Sequence, residues 1–495
     1  MDVTIPPTTG TLLIRNVIFF GLVVFFLSDT AVAKNISEED IRAYLDDPIF
    51  NDLWFGIYDK NNQKYGWWHA REYREGDYWV FEEEAEVKLL DRIEVGKRVY
   101  DDKILIRTRK KEFYRIDGGF LLSRVEFLFE QDNEVRTTMA SIVDGNVHVQ
   151  VNSDGREFSY DVEGFFLRLD EVYRLEILLR KYDDWRLGEV IDYKYYDIET
   201  FRISGETDVI REIDETFRDG VTLKYYQVET LRSDTRNSFK TVISEDGIPL
   251  KYSEFQGYTE LEGEHQAKSD TRFGGFSFED AVISVDQSIP PLETLNNVML
   301  EIIGVYDGGI YSGYQQRVFT KDGKTFLVLG DDIGVPEKGL PGDAQKHLEE
   351  NSLYPIEDLA IQKMVGEVVG DTTDDWEKVK ALLDHVERYV VDDYTSNSMS
   401  VFEVLRKRKG DCSEHTLLFN TLARAAGIPS REVRGLMNYE DRKFGLHAWN
   451  EVLVGGEWHS VDATWGYTTT PLTHIKFDGH NYIPSSFDFR IVDVN

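Results

Sequence analysis

The sequence predicts an α+β fold: a long-stranded antiparallel β-rich region at the N-terminal side, followed by a core of helices plus antiparallel sheet. Three observations carry that expectation. From Asn51 to Lys268, β-branched and aromatic runs recur, closed by turn pairs such as Asp144-Gly145 and Asp246-Gly247. Within them the residues alternate, as in Thr222, Lys224, Tyr226 and Val228 against Leu223, Tyr225 and Gln227, which suits a sheet with one wet face. After Gly342 the period changes to that of helices.

The 495 residues are too many for one ordinary core and suggest about three units. We expect a signal peptide at 1–33, a β-rich domain at 34–270 with a possible internal duplication (Phe127–Val149 and Val228–Tyr252), a small β domain and linker at 271–345, and a further domain at 346–495. Hydrophobic residues make up 41%, enough to build cores. A formal net charge of -35 disfavours phosphate backbones, so nucleic acid is not an expected partner.

At the N-terminus, Arg15 precedes an apolar run from Val17 to Leu27, and Ala31-Val32-Ala33 supplies the small residues of a cleavage site. The run is shorter than the ~20 residues of a membrane span, so cleavage and export to the periplasm or medium are expected over a retained anchor. Cys412 is the one cysteine, which rules out an internal disulfide.

In the β-rich region, Trp54–Tyr58 and Tyr65–Trp68 read as strands about a turn at Asp59–Lys64, which lacks the later carboxylate of a calcium loop. Trp54, Trp67, Trp68, Tyr73, Tyr78, Trp79 and Phe81 could line a binding surface, although aromatics at strand spacing are more often core. One helical interruption runs from Leu167 to Tyr182. Further on, Gln316–Phe319 and Thr325–Leu329 flank a turn at Asp322-Gly323.

Helices then follow. Ile356 to Val369 carries Leu359, Ile361, Met364, Val365 and Val368 on one stripe and closes at Gly370. The next has Asp371, Thr372 or Thr373 as cap and buries Trp376, Val379, Leu382, Leu383, Val386 and Val390. A third starts at or beside Cys412, with Leu417, Leu418, Leu422 and Ala425 as its apolar face, and stops at Gly427-Ile428-Pro429.

A cysteine at a helix N-terminus meets the positive end of the dipole, which favours thiolate, and nearby N–H groups can hold an oxyanion. If Gly455-Gly456 is a two-residue hairpin loop, Val454 pairs with Glu457, Trp449 lies opposite Asp462, and His447 becomes a diagonal neighbour of Asp462. A thiol, an imidazole and a carboxylate are the parts of a nucleophile, its base and its orienter. Singly, each has a plain structural reading as a core cysteine, a packed histidine or a turn aspartate; together they point to chemistry. His415, on the cysteine's own helix, reads as structural.

The motifs Gly410-Asp411-Cys412-Ser413-Glu414-His415, Leu422–Arg431, His447-Ala448-Trp449-Asn450-Glu451-Val452 with Trp458, and Val461-Asp462-Ala463-Thr464 closely resemble the bacterial transglutaminase-like superfamily over roughly residues 346–470. The resemblance implies a papain-like core with Cys412 as nucleophile, His447 as base and acid, and Asp462 as orienter. It implies attack on a protein or peptide carboxamide or peptide bond through a thioacyl intermediate. With no convincing ligand cluster in the sequence, no cofactor and no metal are expected. Trp449, Tyr394 and Asn397 are candidates for oxyanion stabilisation or substrate positioning. Hydrolysis is expected over cross-linking, because water is always at hand and no amine site is visible. The alternative is a non-catalytic periplasmic protein whose β-rich region holds a peptide, glycan or envelope component.

Overall fold

The computed structural model describes residues 37–494 apart from 47, 49–50, 96–97, 133, 154, 173–184, 219–220, 233–237, 255–256, 276–281, 291–294, 305, 307–308, 331–332, 335, 394–399, 441, 473 and 479–486. The signal-peptide expectation therefore lies outside the described residues. The chain divides into two compact units, one built from Val17–Leu90 and Lys103–Phe276, the other containing Ser277–Asn495.

In the first unit fourteen antiparallel strands, counted among the described residues, form one sheet. Eight run in chain order from Leu53–Asp59 to Arg156–Glu163; six more, from Val190–Tyr196 to Gly257–Glu262, return so that the last pairs with the first. The turn chemistry is the expected one. Asp144 and Gly145 both take positive φ (50° and 80°) between paired strands, as a type I′ hairpin demands. Asp59 Oδ1 accepts from the Asn61 and Gln63 amides at 2.8 and 2.9 Å, so this segment is an aspartate-stabilised turn. Trp54, Trp68, Trp79 and Phe81 are buried, whereas Trp67, Tyr73 and Tyr78 are half-buried, so most of that aromatic run is core. Of the helix expected over Leu167–Tyr182, Leu169–Val172 is helical, Leu167 and Arg168 are not helical and Arg168 bridges back to Leu121, and 173–182 lie outside the described residues.

In the second unit, Asn297–Gly304 pairs on one side with Lys324–Gly330 and on the other with the C-terminal strand Phe487–Val494. Among the described residues a short helix, Asp343–Lys346, and then four longer ones follow. Helix α1 (Leu359–Val369) is capped by Asp358, whose Oδ1 accepts from Ala360 N at 2.8 Å, and ends at Gly370. It buries Ile361 and Val365, but Leu359 is 85% exposed, because the chain enters the helix three residues later than the apolar pattern suggests. Helix α2 (Asp375–Tyr389) is capped by Asp374 rather than by Asp371, Thr372 or Thr373; four cap-competent residues stand in a row, and Asp374 is the one three residues before the Glu377 amide it accepts from. Helix α3 spans Val401–Lys407.

Helix α4 (Cys412–Ala425) is the centre of the unit. Every residue from Cys412 to Arg424 is buried, so it has no wet face, contrary to the single apolar stripe expected. Leu417, Leu418, Phe419 and Leu422 each contribute about 1.5–3 kcal/mol by burial. Several of its polar residues are satisfied internally. Thr421 Oγ1 donates to the Leu417 carbonyl at 2.8 Å, Arg424 Nε to the Ser430 carbonyl at 3.0 Å, and Asn420 meets the Ser430 hydroxyl.

Against α4 lies a mixed-length antiparallel sheet: β1 (Ser430–Glu440), β2 (Lys443–Val454), β3 (Glu457–Val461) and β4 (His474–Lys476), with β4 beside β1, β3 beside β2, and the two residues Ile283–Ser284 also paired with β2. Asn450 Nδ2 of β2 donates to the Thr416 carbonyl of α4 at 3.1 Å and ties sheet to helix. Gly435 of β1 pairs with His447 of β2 on one side and Lys476 of β4 on the other. A Cβ there would stand 2.0 Å from the Ile475 carbonyl oxygen and 2.6 Å from the Trp449 ring, so glycine is what lets β4 approach. Gly435→Ala should therefore cost about 1–3 kcal/mol, read as a lower urea midpoint at unchanged slope; an unchanged midpoint would show that β4 has room to yield.

Candidate active site

The start of α4 is fixed by reciprocal capping. Asp411 Oδ1 accepts from the Ser413 amide at 2.7 Å while Glu414 Oε2 accepts from the Asp411 amide at 2.8 Å. Gly410 makes room for this, since a Cβ there would lie 2.3 Å from the Glu414 side chain. Cys412 is thereby held at the first helical position, fully buried and packed on Ala448, the residue after His447. His415, one turn on, places Nδ1 2.7 Å from the Asp411 carbonyl and Nε2 3.2 Å from the Val390 carbonyl, so it joins α4 to the end of α2.

The hairpin has the expected register: Val454 faces Glu457, and the ladder runs to Asn450 opposite Val461. There Asp462 leaves the ladder and closes a small loop, exchanging both backbone hydrogen bonds with Tyr467 at 2.9 Å. His447 is on β2, and its Nε2 donates to Asp462 Oδ2 at 2.8 Å, with both side chains fully buried. Two indoles pack near the imidazole, Trp449 at 5.8 Å and Trp465 at 4.9 Å between ring centroids.

Two features of this cluster are absent from the sequence reading. Asp462 Oδ1 accepts from the Thr464 amide at 2.8 Å, and a second imidazole, His474 of β4, places Nε2 3.0 Å from the same Oδ2 that His447 uses. Lys476, two residues along β4, pairs with Glu451 at 2.7 Å, and Arg431 joins both Glu451 and Glu337. That network crosses from β1 through β2 to β4 and anchors the strand bearing His474. A short alternating segment after Pro471, with His474 and Lys476 on one face, is the one signal that could have drawn attention to it.

Trp449, expected as a possible oxyanion donor, gives its Nε1–H to Ser460 Oγ at 2.8 Å; that donor is engaged in holding β2 to β3. Tyr394 and Asn397 lie outside the described residues. His447, Asp462 and His474 could in principle ligate a metal, since their donor atoms lie within 4.8 Å of one another. Yet a tetrahedral zinc site separates its ligand atoms by about 3.3 Å. The 2.8 and 3.0 Å spacings are those of hydrogen bonds onto one carboxylate oxygen.

Burial raises the Asp462 pKa, but the charge and hydrogen bond of His447 and the hydrogen bond of His474 outweigh it and hold the carboxyl well below its usual range. A depressed folded-state pKa adds stability that is complete above the unfolded value of about 3.9 and is lost as the pH falls through the folded value. Asp462→Asn should accordingly be less stable than wild type at pH 7, with the gap narrowing below about pH 4. Chemical denaturation across pH tests this; a gap independent of pH would mean that the ionised carboxylate is not what the histidines hold.

Residues 362–463 match the core of the transglutaminase-like superfamily. Over 131 residues the chain is 29% identical to the Kyphoscoliosis peptidase of Mus musculus, covering 24% of this chain and 20% of that protein. The Homo sapiens Kyphoscoliosis peptidase is 27% identical over 119 residues, 21% of this chain and 18% of that one. The match thus spans about a fifth of the length of these relatives. The periplasmic domain of TgpA from Pseudomonas aeruginosa aligns with 15% identity over 37% of this chain and 87% of that domain, at a TM-score of 0.27. The chain therefore carries a domain of the transglutaminase-like superfamily, and Cys412, His447 and Asp462 all fall within it.

Proposed function

We propose that the chain is a thiol acyl-transfer enzyme acting on protein or peptide amides, with Cys412 as nucleophile, His447 as base and acid, and Asp462 as orienter. The observation that carries this reading is the 2.8 Å bond from His447 Nε2 to a buried, ionised Asp462, made on the hairpin that packs against the cysteine helix. With Nε2–H given to Asp462, Nδ1 is the nitrogen that takes the thiol proton. Sγ then adds to the carbonyl carbon, and the C–N bond breaks as His447 returns that proton to the leaving amine. The resulting thioester is resolved by water or by a second amine.

The helix dipole contributes less to activation than the sequence suggests, because the Asp411 and Glu414 carboxylates already meet the positive end of α4. The imidazole is then the main source of thiolate. We favour water as acceptor, in keeping with the peptidase named among the relatives, although only a fifth of that protein is shared. Because the three residues are buried, an extended peptide or a single side chain is a better substrate than a folded surface. On the apolar run at 17–27 we further propose export, with 1–33 removed.

The competing reading, a non-catalytic binding protein, draws on the full burial of Cys412. Alkylation by iodoacetamide separates the two. The enzyme reading expects a rate midpoint well below the ordinary thiol value of about 8.5, and a neutral-pH rate at least about tenfold above that of His447→Ala. Equal, slow rates in both proteins would remove the activated thiolate. Cys412→Ala should lose all turnover while keeping the fold.

A further inference from the structure

We propose that His474 is a positioning residue of the acyl-transfer site, its Nε2–H holding the Asp462 carboxylate in the orientation in which Oδ2 meets His447. This inference rests on the reading of Cys412, His447 and Asp462 given above. Thr464 N–H fixes Oδ1 at 2.8 Å, and the two imidazoles share Oδ2 at 2.8 and 3.0 Å, so three donors from three parts of the chain lock one buried carboxylate. His474 is itself held, by the Gly435 gap that admits β4 and by the Lys476–Glu451 pair on the same strand.

The chemistry of the second imidazole differs from that of the first. A carboxylate only accepts, so His474 must carry its proton on Nε2. Burial lowers the pKa of His474 against the opposing pull of Asp462, which keeps the ring neutral. A neutral donor fixes Asp462 without cancelling its charge, so the full negative charge remains to support His447 when it becomes imidazolium. Sharing Oδ2 also makes that oxygen less basic, so the Nε2 proton stays on His447 through the cycle. His474 touches Asp462 and the rings of Trp449 and His447; it acts on the thiol through them.

The test uses the full chain and the second-order rate of iodoacetamide with Cys412 as a function of pH, in wild type, His474→Leu and His474→Gln. Glutamine can place an amide N–H near the position of Nε2; leucine cannot. His474→Leu is expected to slow the neutral-pH rate by about 10- to 100-fold and to move the midpoint up toward that of an ordinary thiol, while His474→Gln returns both most of the way. A leucine profile that superimposes on an activated wild-type profile would overturn the role of His474 and leave the thiol reading standing. An ordinary-thiol profile in wild type would instead sink the thiol reading itself.

Should the leucine variant fail to fold, the imidazole nitrogen-15 spectrum of the unmodified protein decides. A neutral His474 protonated at Nε2 from pH 5 to 8 supports the proposal, and a ring protonated at Nδ1 or titrating freely overturns it. Stoichiometric zinc in the protein as purified would overturn it as well, since both Nε2 atoms would then be ligands rather than donors.

Discussion

A single buried carboxylate organises the transglutaminase-like domain. Asp462 accepts from the Thr464 amide, from His447 and from His474, and has no exposed surface. An ionised group in such a place is tolerable only when donors replace the water it has lost. Most of the surrounding architecture can be understood as supplying them. The Gly455-Gly456 hairpin brings β3 back along β2 and delivers Asp462 beside His447; the 462–467 loop turns the Thr464 amide onto Oδ1; Gly435 opens the space through which β4 brings His474.

The helix that bears Cys412 is constrained by a different device with the same logic. Asp411 and Glu414 satisfy amides at its start, and Asn420, Thr421 and Arg424 satisfy polar groups along a length that is buried all round. A helix buried all round is held by its packing, so the position of Cys412 is set by packing rather than by loops. Asn450 couples helix and sheet directly, through the strand that carries His447. The same capping carboxylates temper the dipole at Cys412.

Much of this was legible in the sequence, for identifiable reasons. A Gly-Gly pair between alternating runs specifies a two-residue loop, and once the loop is set the pairs out to Asn450–Val461 are set with it; the expected Trp449–Asp462 pair is not made, because Asp462 turns off to Tyr467, but the count still ends beside His447. The start of α4 was legible because Gly410-Asp411 offers both a break and a cap. His474 was not, because β4 is a three-residue strand whose partner depends on a missing side chain at Gly435, forty residues away in sequence and invisible to any local pattern. Trp449 was given a chemical role when its indole N–H had a nearer partner in Ser460, a cross-hairpin contact that residue type alone cannot assign. The cap of α2 slipped to Asp374 because four neighbours could each have served. Full burial of α4 depends on α1, α2, α3 and a sheet, and an amphipathic count cannot see them.

The central claim is that Cys412 is driven by His447 and Asp462 to carry an acyl group. Intact-protein mass after brief exposure to a small activated acyl donor such as p-nitrophenyl acetate tests it most directly. The account predicts one acyl adduct on Cys412, released by neutral hydroxylamine as a thioester must be, and absent from Cys412→Ala and His447→Ala. An unmodified wild-type protein, or an adduct that persists in His447→Ala, would contradict it.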